Sequence, residues 1–129
     1  MKKIKLPSGA ELGVGSIDFV TAKELWQIVM AEGLKLNINS TDQMDWNLLK
    51  DIIFRAGSSK EFDLKVTECM KKFTYKGLKI DDKTFEPEEA RDDYFPIVYE
   101  VTKETLAPFT KSLYAKFSPH LKELLKDLA

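Results

Sequence analysis

Pro87 and Pro96 constrain this chain more than any other pair of residues, because each lies among carboxylates where a helix can start. Proline needs no N–H in a first helical turn, and acidic side chains there meet the positive end of the helix dipole. Pro87 stands between Glu86 and Glu88-Glu89, and Pro96 follows Asp92-Asp93. The pattern predicts a short acidic helix over about residues 87–93 and a long apolar one from about residue 95. Phe95, Val98, Val101, Leu106, Phe109, Leu113 and Phe117 mark the apolar face of the long helix, at helical spacing except between Val101 and Leu106. Pro108 crowds the carbonyl of Glu104, so a kink or break is expected between about residues 104 and 108. Ser118-Pro119 then opens a further helix, with Leu121, Leu124, Leu125 and Leu128 on one side.

A chain of 129 residues is one domain's length and buries roughly two thirds of its unfolded surface. A net charge of −1 supplies no general field for nucleic acid or an anionic membrane. The single cysteine, Cys69, excludes an internal disulfide framework and suits a reducing compartment. Met1 to Pro7 is basic, but no apolar run of about 7–15 residues follows it, so no secretory leader is expected. No run approaches ~18 consecutive apolar residues, so no membrane-spanning helix is expected.

Along the chain, Ile4 and Leu6 alternate with Lys3 and Lys5, Pro7-Ser8-Gly9 signals a turn, and Leu12 and Val14 alternate after it, which predicts a β-hairpin. Gly9, Gly13 and Gly15 lack the lysine and Ser/Thr that a phosphate loop needs, so they read as turn and strand residues. Thr21 and Glu24 form a capping box ahead of Leu25, Trp26, Ile28, Val29 and Met30, with Gly33 as the stop. Leu34 to Asn39 alternates again, as a short strand or an extended connection. Trp26 and Met30 are core residues first and ligand-lining residues second. Trp46, Leu49, Ile52, Ile53 and Ala56 share a helical face that ends at Gly57, and Ser58 with Glu61 caps a helix burying Phe62, Val66, Cys69 or Met70, and Phe73. Tyr75, Leu78 and Ile80 then form a short extended segment. The expected fold is mainly α (α+β): a single domain over residues 1–129, with a hairpin over 1–17 and five to six helices in a helical part over 18–129.

No constellation for catalysis stands out. Cys69 has only His120 as a basic partner of the needed type and reads as an apolar filler. Glu86, Glu88, Glu89, Asp92 and Asp93 could supply a carboxylate pair only if a cleft shifted one of them, and a solvated helix start accounts for them more simply. Lys71, Lys72, Lys76, Lys79 and Lys83, interleaved with Phe73 and Tyr75, have the composition of a single-strand nucleic-acid strip, but Asp81, Asp82 and Glu86 follow at once. The sequence therefore predicts no enzyme, no cofactor, no metal site, and neither nucleic acid nor membrane as partner.

Three segments carry a resemblance. They are the opening Ile4-Lys5-Leu6-Pro7-Ser8-Gly9, the stretch Phe73 to Ile80, and the span Thr84 to Phe117, matched at Thr84, Phe85, Glu86, Glu88, Glu89, Ala90, Arg91, Asp93, Tyr94, Leu106, Ala107, Pro108 and Phe109 and closing on Leu113-Tyr114-Ala115-Lys116-Phe117. Together they resemble the tail assembly chaperones of siphophages and prophages of Gram-positive bacteria. Thr110 stands where such proteins often carry a second phenylalanine. The resemblance implies a non-enzymatic protein of the bacterial host's cytoplasm that cradles the helical tape-measure protein before the tail tube forms. It also implies a frameshift-extended form of the chain as a further partner, as many such phages make one; self-association is a third partner expectation. Such a role requires apolar side chains that a partner can cover. Phe109, Leu113, Phe117, Leu121, Leu124, Leu125 and Leu128 are the candidates, and their competing role is to fill the core. The alternative functions are a structural tail or connector subunit and a small enzyme.

Overall fold

The computed structural model describes residues 2–35, 50, 51, 53–55, 57 and 59–109. The fold is mostly helical with a small antiparallel sheet, as the sequence predicts. Strands β1 (Lys3–Lys5) and β2 (Glu11–Gly13) form the expected hairpin, with Ile4 opposite Leu12. Its turn closes through Gly9 N–H to Leu6 C=O at 2.8 Å and Leu6 N–H to Ala10 C=O at 2.8 Å, with Gly9 at φ 94°. That left-handed conformation is the reason for glycine there.

The sheet has a second half that the sequence shows only as an extended segment. Strands β3 (Thr74–Tyr75) and β4 (Leu78–Lys79) form another hairpin around Lys76 (φ 53°) and Gly77 (φ 82°). Two positive φ values in a two-residue loop suit the twist of paired strands. β3 pairs with β2, Leu12 opposite Tyr75, giving the order β1-β2-β3-β4. Half of the sheet thus comes from within the helical part, 18–129, at the segment expected only to be extended.

Helix α1 (Phe19–Lys35) buries Ala22, Leu25 and Val29. Its cap is Asp18, not Thr21: the Asp18 carboxylate accepts from the Thr21 N–H at 3.1 Å and the Thr21 hydroxyl at 2.9 Å. Those two bonds, the hydroxyl's first, hold the Asp18 carboxyl below its ordinary pKa. α1 also runs through Gly33, and Leu34 and Lys35 belong to it rather than to an extended piece. Residues 50, 51 and 53–55 are helical (α2), with Ile53 buried; Gly57 follows them in a turn, donating to the Ile53 carbonyl at 2.8 Å. Trp46 and Leu49 lie outside the described residues.

Helix α3 (Lys60–Met70) is capped by Ser59, whose hydroxyl accepts from the Phe62 N–H at 3.3 Å, one residue later than the expected cap. It buries Phe62, Val66, Cys69 and Met70. It packs on α1, and Lys65 reaches across to Glu24, which with burial opposing it raises the lysine's pKa. A close approach fixes the link between sheet and α3. A Cβ on Gly15 would stand 1.8 Å from the Lys72 carbonyl oxygen, so only glycine fits. Gly15 is therefore a contact residue and not a flexible strand position.

The short acidic helix α4 (Glu88–Asp92) begins after Pro87, as the sequence predicts. Helix α5 spans residues 94–109 with Pro96 in its first turn, and the Ile97 N–H donates to the Asp93 carbonyl at 2.9 Å. Of the kink or break expected between residues 104 and 108, the break is absent: α5 continues through Pro108 to residue 109. Phe95 does not join the buried face, being 66% exposed. The buried face is Ile97, Val98, Val101, Thr102, Thr105 and Leu106. Two threonines bridge the gap between Val101 and Leu106, and Thr102 satisfies its hydroxyl on the Val98 carbonyl at 2.7 Å.

Candidate interaction groove

The sequence-predicted contact residue that the structure describes, Phe109, stands at the centre of an aromatic stack. Its ring centroid lies 6.1 Å from Phe19 and 6.2 Å from Trp26, with interplanar angles of 24° and 25°. Helical phase explains the arrangement. Phe19 and Trp26 lie two turns apart on α1, so they project from one side of it, and Phe109 enters between them from the end of α5. Near-parallel rings at this spacing attract beyond their buried area alone.

These rings border a groove of about 610 Å³. The link from β2 to α1 supplies Val14, Gly15 and Ile17, α1 supplies Ala22, and α5 supplies Thr105 and Pro108. The lining is mainly apolar. One charged wall residue, Glu104, is paired with Lys2 at 2.8 Å. Phe19 is 68% exposed and the adjacent Val20 is also exposed, so the groove has an open apolar lip. One polar atom of the lining, Trp26 Nε1, is buried without a hydrogen-bond partner among the described residues.

A second apolar recess, of about 480 Å³, lies where Pro7, Ile53 and Phe54 face Phe95, Pro96 and Tyr99. Phe54 is 85% exposed. Lys50 and Lys103 both hold their ammonium groups over the Tyr99 ring, at 5.1 and 5.9 Å from its centroid. Sequence reasoning missed Phe19, Phe54 and Phe95 as exposed apolar residues. Phe95 beside a proline at a helix start was the one available signal. Leu113, Phe117, Leu121, Leu124, Leu125 and Leu128 lie outside the described residues, as does His120.

The titratable groups raised by the sequence lie elsewhere. Cys69 is buried, and burial, with the Glu68 charge adding to it, pushes the thiol up to about 11. Asp93 is buried and accepts a hydrogen bond from the Tyr75 hydroxyl. Burial first, then that bond, pushes the phenol up to about 12. Glu86, Glu88, Glu89 and Asp92 are exposed, and neither groove is lined by any of these carboxylates. Among the described residues no group of acidic, His and Cys side chains could hold a metal ion, and no helix is long and apolar enough to cross a membrane.

Two segments that carry the resemblance, Phe73 to Ile80 and Thr84 to Phe109, meet around these groups. Tyr75 bonds Asp93 and lies 6.5 Å from Phe85, whose ring meets Tyr94 edge-on at 5.1 Å. Compared with protein-family models, curated proteins and solved structures, the chain matches none.

Proposed function

We propose that this protein is a phage tail assembly chaperone that covers apolar helical stripes of a tape-measure protein in the bacterial cytoplasm before the tail tube forms. The observation that carries the reading is the open aromatic groove at Phe19, Trp26 and Phe109. An unassembled tape-measure helix exposes apolar side chains that otherwise associate with one another. A groove with rigid aromatic walls and an exposed lip takes such side chains by the helix-in-groove mode. The resemblance in the segments around Tyr75 and Asp93 is the reason for choosing a tape-measure protein as the partner, and the open groove supports a helix-binding role.

Co-expression with the tape-measure protein tests this reading. The wild-type chain is expected to raise the soluble fraction of the tape measure and to co-purify with it. Phe19→Glu combined with Val20→Glu is expected to abolish both effects, since loss of a central aromatic contact typically costs more than about 1 kcal/mol of binding. Both positions are exposed and lie in the first turn of α1, where a carboxylate is favourable, so the protein is expected to stay folded and to lose no more than about 0.5–1.5 kcal/mol, the contribution of the Phe19–Phe109 stack. An unchanged insoluble fraction with no co-purification would refute the chaperone reading.

A further inference from the structure

We propose that the open edge of strand β1 takes up an extended segment of a protein partner in which acidic and apolar residues alternate, adding a strand to the sheet. The ladder shows which backbone groups are on offer. The Val14 N–H donates to the Lys2 carbonyl and the Leu6 N–H to the Ala10 carbonyl, both at 2.8 Å, while Ile4 stands opposite Leu12. Antiparallel bonds alternate along a strand, so Lys2, Ile4 and Leu6 turn their backbone groups toward β2, and Lys3 and Lys5 turn theirs to the other side. The sheet ends at β1 on that side, so the N–H and C=O groups of Lys3 and Lys5 face no strand among the described residues. An added strand bonds alternate residues of the edge it joins, and here it would satisfy both lysines.

The pleat sets which side chains the added strand must carry. Lys3 and Lys5 project from the outer face of the sheet, Lys3 in register with Gly13, Thr74 and Lys79. Glu11, opposite Lys5, is the acidic residue of these rows, and its carboxylate lies 3.6 Å from the Lys3 ammonium. Lys3, Lys5 and Lys79 are exposed, so the face is cationic on balance. Ile4 points the other way, half-buried against the core at the rim of the inner face. A strand laid beside β1 therefore meets charge, apolar surface and charge in turn. Carboxylates opposite Lys3 and Lys5 make favourable cross-strand pairs, and a β-branched residue opposite Ile4 extends the inner face. Lysines on an edge also guard against chance pairing. Here the guard is selective: a second copy's β1, paired about Ile4, sets Lys3 against Lys5, and like charges directly opposite are destabilising. The β4 edge is a poorer site, since it is two residues long and runs on toward Asp81 and Asp82. Nucleic acid fits less well than an acidic strand. Phe73 and Tyr75, the aromatics of the basic stretch, are buried and leave the lysines without a stacking platform.

A synthetic peptide with Glu-Val-Glu between threonines tests this on the full chain enriched in nitrogen-15. At millimolar peptide the amide hydrogens of Lys3 and Lys5 are expected to exchange several-fold more slowly, while that of Ile4, which already faces β2, is unchanged. A Lys-Val-Lys peptide of the same length is expected to leave all three amides as they were. Lys3→Thr combined with Lys5→Thr replaces two exposed side chains by residues that suit a strand, so the amide spectrum is expected to keep its dispersion and the Glu-Val-Glu peptide to bind several-fold more weakly. The comparison of the two peptides on the wild-type chain holds whether or not this variant folds. Unprotected Lys3 and Lys5 amides at the highest Glu-Val-Glu concentration overturn the proposal. Equal protection by the two peptides, or undiminished protection in the folded double variant, also overturns it, since the lysines then select nothing. So do shifts spread over Lys72 and Lys79 without protection at β1, which would be diffuse charge attraction. Protection of Lys3 and Lys5 that grows with protein concentration in the absence of peptide would assign the edge to a second copy. Protection by oligothymidylate and not by the peptide would assign it to nucleic acid. Either result overturns the proposal.

Discussion

Tyr75 and Asp93 form the contact on which single-residue substitution acts most sharply. Asp93 is a carboxylate 3% exposed, and the Tyr75 hydroxyl is its hydrogen-bond donor. Tyr75→Phe removes that donor and leaves the carboxylate buried. Hydrogen bonds to charged groups contribute about 1.5–3 kcal/mol, so a loss of that size in unfolding free energy is expected from urea melts at pH 7. The pH dependence follows from the sign of the shift. Tyr75 moves from an ordinary value of 10.0 to about 12 in the folded state, so the fold binds its proton more tightly than the unfolded chain does. That stabilisation is complete below pH 10 and is lost as pH rises from 10 through 12. Cys69, moved from 9.0 to about 11, adds a loss that begins near pH 9. The urea midpoint is therefore expected to fall between about pH 9 and 12, and to fall less above pH 10 in Tyr75→Phe. An equal fall in both proteins would contradict the role given to the phenol. The burial of Cys69 was legible, because its helix repeats apolar residues on that face. The Tyr75–Asp93 bond was not, since it joins a turn-rich segment to a helix junction and no local pattern links them.

At the scale of elements, what the sequence revealed depended on whether an element announces itself by apolar spacing. The first hairpin did, through alternation on both sides of Pro7-Ser8-Gly9. The second did not, because each strand has two residues and the turn is Lys76-Gly77 rather than the Asn or Asp with Gly that usually signals it. In α5 the spacing misled, because Thr102 and Thr105 fill buried positions that an apolar count skips. At the start of α1 two caps competed, Asp18 and Thr21, and the helix takes the earlier one with the later as its donor. Of the candidate contact residues, Phe109 was legible, while Phe19 was hidden because the helix was expected to begin after it. Gly15 shows how element packing gives a residue its identity. Gly15→Ala places a methyl group against the Lys72 backbone, which cannot move as a flexible side chain can. A destabilisation of about 1–3 kcal/mol is expected. Gly57→Ala, whose new Cβ would meet nothing closer than 3.4 Å, serves as the control. It is expected to stay within about 0.5 kcal/mol of wild type. Equal melting temperatures for the two variants would remove the close contact between the β2–α1 link and the end of α3.

At the scale of the whole molecule, the sheet ties the first residues of the chain to its middle. Strand β2 lies between β1 and β3, so the first hairpin is the support on which β3 and β4 pair. Leu6 and Leu12 are both buried in the same core as Phe73, Tyr75 and Ile80. Gly15 and Ile17 continue this contact into the groove wall, and Lys2 pairs with Glu104 on α5. The first seventeen residues are therefore not an appendage to a helical body, although a boundary at residue 17 was the natural division to draw from the sequence. Deleting residues 1–17 strips two leucines from the core, each contributing about 1.5–3 kcal/mol by burial. It also uncovers Tyr75 and leaves β3 without its neighbour. The combined loss is comparable with the ~5–15 kcal/mol that stabilises a domain, so the shortened chain is expected to lose its cooperative thermal transition. Calorimetry and the dispersion of the amide spectrum measure this directly. A shortened chain that still melts cooperatively, with dispersed resonances for Tyr75 and Phe73, would show that residues 18–109 hold their core without the hairpin, and would return the molecule to a helical body with an added β-ribbon.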